Sequence, residues 1–361
     1  MGQSLTLCPE GGTLIGRDDV ATMDMAAAAA GGPASAAGTD GTAIADALQP
    51  VRALQAQVGQ GLIGHDRMVG RLMTALLASG HVLIEGPPGL AKTRAVKRLA
   101  DGLSGSFARI QCTPDLMPSD MTGTQVYRPD AGRFDFQPGP VFHQLVLVDE
   151  INRAPPKVQS ALLEAMAEGQ VTIIGRTHTL PDPFMVVATQ NSIEHEGTFP
   201  LPEAQLDRFL LHLNLQLPDA ASERAILDLV ETEQTHVALP PAVQLEASQI
   251  RAARAAVARI HLAPALKDFI VRLVMATRET EGGPLAGLVE HAVSPRGTLA
   301  LAAAVRAQAA LAGRDHGLPE DVEDLAGDAL SHRLIASWRA TSEGISARDL
   351  VTRLLTHVRP W

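Results

Sequence analysis

A glycine- and proline-rich loop between an apolar stretch and a helical stretch is the strongest chemical signal in the chain. The loop follows the short, mainly apolar stretch 81–85 (HVLIE) and comprises Gly86, Pro87, Pro88, Gly89, Leu90, Ala91, Lys92 and Thr93. A triphosphate needs converging backbone N–H groups, a helix N-terminus behind them and one flexible cation. We predict that Lys92 binds the β- and γ-phosphates and that Thr93 offers its hydroxyl to Mg²⁺.

Ala91 departs from the usual pattern, which has a glycine immediately before the lysine. An alanine fits there only if its φ is negative. A second interpretation stays open: a solvated strand-to-helix turn with an incidental lysine, because short motifs give false positives.

Two adjacent carboxylates follow another apolar stretch. Leu145–Val148 leads into Asp149 and Glu150, as in a buried parallel strand, and ligands bind at the C-terminal ends of such strands. Asp149 would hold Mg²⁺ through its water shell, and Glu150 would orient and polarise the water that attacks the γ-phosphate. Two acids at the start of a loop are common, but combined with the phosphate-binding loop they predict nucleotide hydrolysis.

The elements that position these residues predict an α/β fold. Short apolar stretches alternate with helical stretches, which is typical of a doubly wound parallel sheet buried on both faces. We predict strands at His81–Glu85, Phe107–Cys112, Leu145–Asp149, Phe184–Thr189 and Leu210–Leu215. After Pro218 the strand signal fades and helical patterns continue, among them one over Pro319–Ser337.

The 361 residues divide into three predicted regions. Residues 1–41 are rich in alanine and glycine and are expected to be disordered, because they offer little apolar area to offset chain ordering. An amphipathic helix beginning at Ile44 opens the α/β region, residues 42–217. Residues 218–361 form a second, all-helical domain of typical size.

Composition and charge argue against several function classes. The formal net charge is −10 and aromatic residues make up 3%, which disfavours nucleic acid as a partner because duplex binding needs a positive field and single-strand binding needs stacking platforms. Two separated cysteines suggest a reducing compartment. Neither a membrane span nor a zinc-ligand spacing is evident in the sequence, and we expect a cytoplasmic protein.

Three long stretches resemble the MoxR family of AAA+ ATPases: 86–93 (GPPGLAKT), 149–166 (DEINRAPPKVQSALLEAM) and 188–209 (ATQNSIEHEGTFPLPEAQLDRF). The resemblance extends from about Ile44 to the C-terminus. It implies a five-stranded AAA+ core, a helical lid, ATP with Mg²⁺ as the bound ligands, and a homo-oligomer, usually a hexameric ring with nucleotide between subunits.

The resemblance also implies roles for two residues after the acidic pair. Asn191 matches sensor 1, a polar group that positions the attacking water, although from the residues alone it reads as a strand end entering a turn. Arg208 matches the arginine finger that reaches the neighbouring subunit's γ-phosphate. Its alternative is a surface ion pair with Asp207 or Glu203, which would contribute little.

Arg296 matches sensor 2 of the family's lid, and its position has a physical argument of its own. Ser294 is a plausible N-cap and Pro295 a first helical residue, so Arg296 would lie at the positive end of a helix dipole. A cation there is disfavoured by about 0.3–1 kcal/mol unless an anion is nearby. The family's adenine-contacting turn matches Ile63 and Gly64, and Arg153 is a weaker match to a residue facing a neighbouring subunit.

Two predicted β-hairpins complete the resemblance. Thr124–Val141 has a turn around 130–132 between alternating apolar residues, and Val171–Leu180 has Gly175 at its centre. Both would project toward the ring pore or face, where a protein client could be gripped. The resemblance suggests chaperone-like client remodelling and a partner with a von Willebrand factor A domain. A metal-chelatase motor, a nucleic-acid-associated motor and a non-hydrolysing nucleotide-gated scaffold remain alternatives.

Overall fold

The computed structural model describes residues 36–130, 132–192, 197–235, 243–279 and 282–360. The helices are α1 (Ala36–Gly59), α2 (Asp66–Leu77), α3 (Lys92–Asp101), α4 (Pro118–Thr122), α5 (Pro156–Glu168), α6 (Glu203–Leu206), α7 (Ala220–Thr235), α8 (Ala247–Ala258), α9 (Pro264–Ala276), α10 (Pro295–Leu311), α11 (Pro319–Leu330), α12 (Trp338–Ser342) and α13 (Ala347–His357). The strands are β1 (Val82–Glu85), β2 (Phe107–Gln111), β3 (Gly123–Arg128), β4 (Arg133–Pro138), β5 (Leu145–Asp149), β6 (Gln170–Ile173), β7 (Arg176–Thr179), β8 (Met185–Gln190), β9 (Leu211–Asn214), β10 (Val289–His291) and β11 (Ile335–Ala336).

The central sheet has five strands in the order β2-β5-β8-β1-β9. All four neighbouring pairs are parallel. Each of the five predicted strands lies in this sheet, with bounds that differ from the prediction by at most one residue at either end. The predicted α/β fold with a five-stranded parallel sheet is therefore confirmed.

Both faces of the sheet are buried, as the continuous apolar stretches predicted. Successive side chains of a strand point to opposite faces. On β5, Leu145 and Leu147 pack into one apolar cluster, whereas Val146 and Val148 pack into another. This two-sided burial explains why the strand shows no alternation of polar and apolar residues.

The C-terminal helices pack against the N-terminal ones. The cluster that contains Leu145 also joins α1 and α2 to helices α8, α9, α10, α11 and α13. The first helix begins at Ala36, not at Ile44, so residues 36–41 were wrongly included in the predicted disordered tail. Only Ala36 and Ala37 in this segment have a high helix propensity, so the extension depends on the docked apolar part of α1 that follows rather than on local propensity. The predicted disorder of residues 1–35 lies outside the described residues.

The C-terminal region is helical as predicted, with one addition. Strands β10 and β11 form a two-stranded antiparallel ladder that the expected all-helical domain lacks. Helix α11 ends at Leu330 rather than Ser337, and a 3₁₀ turn follows at Ser331–Arg333. The pairing of β11 with β10 explains the early end, because residues 335–336 take extended geometry to form the ladder.

Both predicted hairpins are confirmed. Strand β3 pairs with β4, and β6 pairs with β7, each in antiparallel register. The second turn contains Ile174 and Gly175, both at positive φ (47° and 75°), which is the geometry that two-residue hairpin turns require. The hairpins are joined by Phe136 and His178, whose rings stack with centroids 4.1 Å apart.

A buried histidine connects the first strand to its surroundings. The Val186 N–H donates to His81 Nδ1 at 3.0 Å, so Nε2 carries the proton and donates to the Met166 carbonyl at 3.2 Å. Both ring nitrogens are thus satisfied in the neutral form. Burial lowers the pKa of His81 from 6.5 to about 4.

Acid should therefore destabilise the protein through His81. Because its folded pKa is depressed, the unfolded chain binds more protons between about pH 6.5 and pH 4, and stability falls as the pH is lowered through that window. We expect a loss of about 2 kcal/mol between about pH 7.5 and about pH 5, measured by urea unfolding. His81→Gln, which cannot be protonated, should be less stable at neutral pH but should lose less on acidification. An equal loss in both proteins would contradict the assignment.

Candidate active site

The C-terminal edge of the central sheet gathers most of the predicted site. Strands β1, β5 and β8 lead directly to the phosphate-binding loop, to the acidic pair and to Asn191. Because the strands are parallel, their C-terminal ends meet at one edge, where α/β sheets bind ligands. One cavity of about 400 Å³ opens there. Its described lining residues are Pro88, Gly89, Leu90, Ala91, Lys92, Thr93, Arg94, Arg109, Gln111, Asp149, Glu150, Thr189 and Asn191.

The loop conformation depends on close backbone approach. Gly86 has φ +157°, and a Cβ atom on it would lie 3.0 Å from the Leu215 carbonyl oxygen, so a larger residue directly after β1 would force the backbone after β9 to shift. Gly89 has φ +88°, and the space where its Cβ would point is open among the described residues. This geometry leaves a concave surface lined by backbone, as a phosphate cradle requires.

The condition that an alanine fits at position 91 only with a negative φ is wrong. Ala91 has φ +51° and ψ +19°, in the left-handed region, and serves as the N-cap of α3. Its carbonyl accepts the first helical hydrogen bond from the Ala95 N–H at 2.9 Å. The turn from loop to helix therefore imposes the usual glycine geometry on an alanine, at a cost of about 1–2 kcal/mol.

Lys92 links the loop to the neighbouring strand. Its ammonium donates to the carbonyl oxygens of Gly86 at 2.7 Å and of Gln190 at 3.0 Å. Lysine carries a compact charge on a flexible stem, so the same ammonium can reach from these carbonyls to phosphate oxygens in the cavity.

Asp149 is 4% exposed and receives three side chains. Thr93 Oγ1 lies 3.3 Å from both carboxylate oxygens, and Thr189 Oγ1 donates to Oδ1 at 3.0 Å. Arg109 Nε donates to Oδ2 at 2.7 Å. A carboxylate beside a threonine hydroxyl is an all-oxygen donor set of the kind Mg²⁺ prefers, with phosphate oxygens and waters completing the shell.

Glu150 is held in a strained but well-supported position. Its φ is +57°, in the left-handed region that non-glycine residues rarely adopt. The Glu150 N–H donates to Thr189 Oγ1 at 3.0 Å. The carboxylate accepts from Gln111 Nε2 at 2.9 Å and from Arg153 at 3.2 Å, so Arg153 contacts its own chain's acid here.

Sequence reasoning missed Arg109, Gln111 and Thr189. Arg109 and Gln111 alternate on β2, a strand predicted only as an apolar stretch. The period-2 spacing of two polar side chains next to a predicted acidic strand was the available signal. Thr189 is the residue before Gln190 at the end of β8, where a hydroxyl is easily taken for an ordinary strand residue.

A second cavity adjoins the first and has a more apolar lining. It measures about 300 Å³ and shares Pro88, Gly89, Leu90, Ala91 and Arg94 with the phosphate-loop cavity. Ile63 lines it, together with Leu217 and residues of α7. His65 also lines it, and burial lowers the pKa of this imidazole, which favours its neutral form. A polar phosphate cavity continuous with an apolar one fits a nucleoside triphosphate with Mg²⁺.

Gly64 is placed differently from Ile63. It lines a third cavity of about 810 Å³ on the lid side, and its Cβ position would lie 3.2 Å from Ser222 Oγ. Gly64 therefore lets α7 approach the turn closely. Pro87 and Gly86 belong to the loop but fall outside the described lining of both nucleotide-sized cavities.

The two predicted arginines lie outside the described lining of these two cavities. Arg208 donates to the Leu163 carbonyl at 3.0 Å. Arg296, with its side chain 58% exposed, lies 3.7 Å from Asp207. The predicted N-cap Ser294 has the right backbone position, but its hydroxyl lies 3.2 Å from Asp207 Oδ2 and makes no capping bond within the described residues.

Glu85, the last residue of β1, is paired across the sheet edge. His212 Nε2 lies 2.9 Å from its carboxylate, and this hydrogen bond lowers the pKa of Glu85. The described part of the chain holds no cluster of three or more His, Cys, Asp or Glu side chains suited to a metal. None of its helices has the length and apolarity to span a membrane.

Comparisons with known proteins agree with this geometry. A family model described as "ATPase family associated with various cellular activities (AAA)" matches residues 81–211, and an "AAA lid domain" model matches residues 286–354. The chain is 44% identical over 306 residues to the chaperone MoxR1 of Mycobacterium tuberculosis, covering 84% of this chain and 80% of that protein. It is 33% identical over 296 residues to protein MoxR of Methylorubrum extorquens, covering 77% and 85%.

A solved structure is similar over nearly the whole fold. The crystal structure of a candidate ATPase from Cytophaga hutchinsonii superposes with a TM-score of 0.79 at 38% identity, covering 90% of this chain and 97% of the other. The sheet order, the lid and the phosphate-binding edge are thus accompanied by sequence similarity along most of the chain. This chain belongs to the MoxR family of AAA+ ATPases.

Proposed function

We propose that this ATPase depends on Mg²⁺, works as a ring of identical subunits, and uses hydrolysis to remodel a protein client. The observation that carries the proposal is a division of the predicted site. The residues predicted to bind phosphate, metal and water lie around one cavity of a single chain, whereas Arg208 lies outside the described lining of that cavity. A site that needs Arg208 therefore needs a second subunit.

Within one subunit, each side chain has a distinct task. Lys92 and the loop amides would bind the phosphates, and Thr93 with Asp149 would hold Mg²⁺, which neutralises phosphate charge when bound. Glu150 and Asn191 would orient the attacking water. Gln111 and Arg153 both contact Oε2 of Glu150, and the second carboxylate oxygen, Oε1, would accept from the water. Ile63 would contact the adenine.

Between subunits, an arginine would complete the site. Arg208 from the neighbour would stabilise charge that develops in the transition state, a contribution of about 10³–10⁵ in rate for such arginines. Repeating one contact between unlike surfaces closes a ring when the rotation closes, and the family resemblance makes a hexamer of identical chains the proposed ring size. Arg296 would bind the γ-phosphate from the lid.

The two hairpins support a role in client binding. Tyr127 and Phe134 are 52% and 63% exposed, and their rings lie 5.2 Å apart across β3 and β4. Ile174, at the second hairpin's turn, is 75% exposed. Exposed apolar groups on adjoining hairpins favour an unfolded or loosely folded protein segment as the ligand. A partner with a von Willebrand factor A domain and a cytoplasmic location stay predictions.

The dependence of turnover on assembly tests the proposal. Specific ATP turnover should rise with protein concentration as rings form, and EDTA should abolish it because Mg²⁺ is removed. Phosphate release measures turnover with and without EDTA, and light scattering on the same samples measures the mass of the assembly. Lys92→Ala should assemble but remain inactive, which controls for a contaminating ATPase. Full turnover by a dilute, unassembled chain would contradict the proposal.

A further inference from the structure

Three lid groups converge on one carboxylate beside Arg208. The carboxylate belongs to Asp207, and the three lid groups are Ser294, Arg296 and Arg333. Arg333 Nε donates to Asp207 Oδ1 at 2.8 Å, with the arginine side chain 3% exposed. Ser294 Oγ lies 3.2 Å from Asp207 Oδ2, and Arg296 lies 3.7 Å from the same oxygen. Asp207, which directly precedes Arg208, is thus connected to the start of α10.

Two lid residues, Arg333 and His332, also contact backbone carbonyl oxygens on both sides of Arg208. Arg333 donates to the carbonyl oxygens of Asp207 at 3.2 Å, Phe209 at 2.7 Å and Leu210 at 3.2 Å. His332 Nε2 lies 3.0 Å from the Phe209 carbonyl. Hydrogen bonds from a charged, buried donor are among the strongest in proteins. The segment that carries Arg208 is therefore attached to its own subunit's lid.

The contacts on Asp207 differ in strength. Arg333 is buried and within hydrogen-bond distance, whereas Arg296 is 58% exposed and 3.7 Å away. An ammonium or guanidinium group at that distance is held by charge attraction rather than a short hydrogen bond. A triphosphate carries more negative charge than one carboxylate, so bound nucleotide would compete with Asp207 for Arg296 while leaving Arg333 in place.

We infer that Asp207 is a positioning residue that couples the nucleotide state of one subunit to the arginine that the same subunit offers to its neighbour. The inference rests on the proposed function, with Arg208 acting on the neighbouring subunit's site and Arg296 acting on the nucleotide of its own subunit. Arg296 contacts the carboxylate of Asp207, which belongs to the segment 207–210. Binding of Arg296 to nucleotide therefore changes the stability of this segment's position, and by linkage the position of the segment changes the affinity of Arg296 for nucleotide.

Asp207→Asn tests the coupling role while it preserves the size of the side chain that the fold requires. The amide keeps the shape and one acceptor but loses the charge that holds Arg296. ATP binding should be unchanged or a few-fold tighter, because Arg296 is released, whereas turnover should fall about 10- to 100-fold, since small misplacements of a reacting group cost that much. Asp268→Asn, which removes an exposed charge on α9, is the matched control and should leave both unchanged.

Mixed rings show where the defect acts. Asp207→Asn subunits keep their own phosphate site but present a misplaced Arg208, so mixing them with Lys92→Ala subunits should restore turnover as far as mixing Arg208→Ala with Lys92→Ala does. Arg333→Lys, which keeps the charge but loses the planar fork, should behave in the same way if Asp207→Asn does not fold.

Three results would overturn the inference. They are full turnover in Asp207→Asn and Arg333→Lys, loss of ATP binding in folded Asp207→Asn, or no recovery in its mixture when the Arg208→Ala mixture recovers. If neither mixture recovers, the shared site of the proposed function fails and the inference fails with it. The Arg208→Ala mixture thus distinguishes the two failures.

Discussion

Glu150→Gln should bind ATP as the unaltered protein does but hydrolyse it at least about 10²-fold more slowly, the lower end of what a positioned general base contributes. The substitution keeps the size of the side chain and an oxygen for the Gln111 amide and Arg153, which lie 2.9 and 3.2 Å from the carboxylate. An amide cannot accept a proton from the attacking water. The loss should therefore appear in turnover and not in binding.

Phosphate release and isothermal titration measure the two quantities separately. Glu164→Gln removes an exposed carboxylate from α5 and is the matched control, which should retain full turnover. Undiminished hydrolysis by Glu150→Gln would exclude this residue as the water-orienting group. If Glu150→Gln weakened ATP binding and left turnover unchanged, Glu150 would instead contribute to the affinity for ATP before hydrolysis.

The same variant also tests the client part of the proposal. A subunit held in its ATP-bound state should retain a bound client through the exposed hairpins. Replacing Tyr127 and Phe134 together with Ser should reduce that retention while leaving basal turnover unchanged, because both side chains lie outside the described lining of the phosphate-loop cavity. Equal retention with and without the two rings would exclude this surface.

Arg208→Ala should lower turnover about 10³-fold or more. Mixing it with a second inactive variant, Lys92→Ala, should restore part of the lost turnover. Lys92→Ala subunits cannot bind the phosphates but still present Arg208. In a ring mixed at equal amounts, about a quarter of the sites would join an intact phosphate site to an intact arginine. Turnover of the mixture should approach that fraction of the unaltered protein's.

The mixing experiment needs exchange of subunits before ATP is added. Arg208→Lys should recover little, since lysine lacks the planar fork that can contact two phosphate oxygens at once. An Arg208→Ala protein that keeps full turnover by itself would remove the need for a second subunit. A site shared in this way would be excluded if the turnover of the mixture never exceeded the summed turnover of the two variants measured separately.

The local pattern of the sequence was sufficient for much of the fold. The five strands were predictable because a strand buried on both faces must be a continuous apolar stretch, as at Leu145–Val148. The positions of Lys92, Thr93, Asp149 and Glu150 at one edge followed from parallel pairing alone, because parallel strands end on the same side. Both hairpins followed from alternation and a turn.

Other features depended on contacts between residues far apart in the chain. The sequence cannot show that β2 lies beside β5, so the contacts of Arg109 with Asp149 and of Gln111 with Glu150 appear only in the folded chain. The end of α11 was misplaced because β11 pairs with β10.

The sequence by itself thus determined the chemistry of the nucleotide site, because that chemistry lies in short motifs whose backbone geometry is local. Only the tertiary structure decided how the lid is attached to the segment around Arg208. Asp207 and Arg333 are 126 residues apart, and a charged pair at that separation leaves no periodic pattern. Helix and strand periods report which face is buried, but not which distant charges meet there.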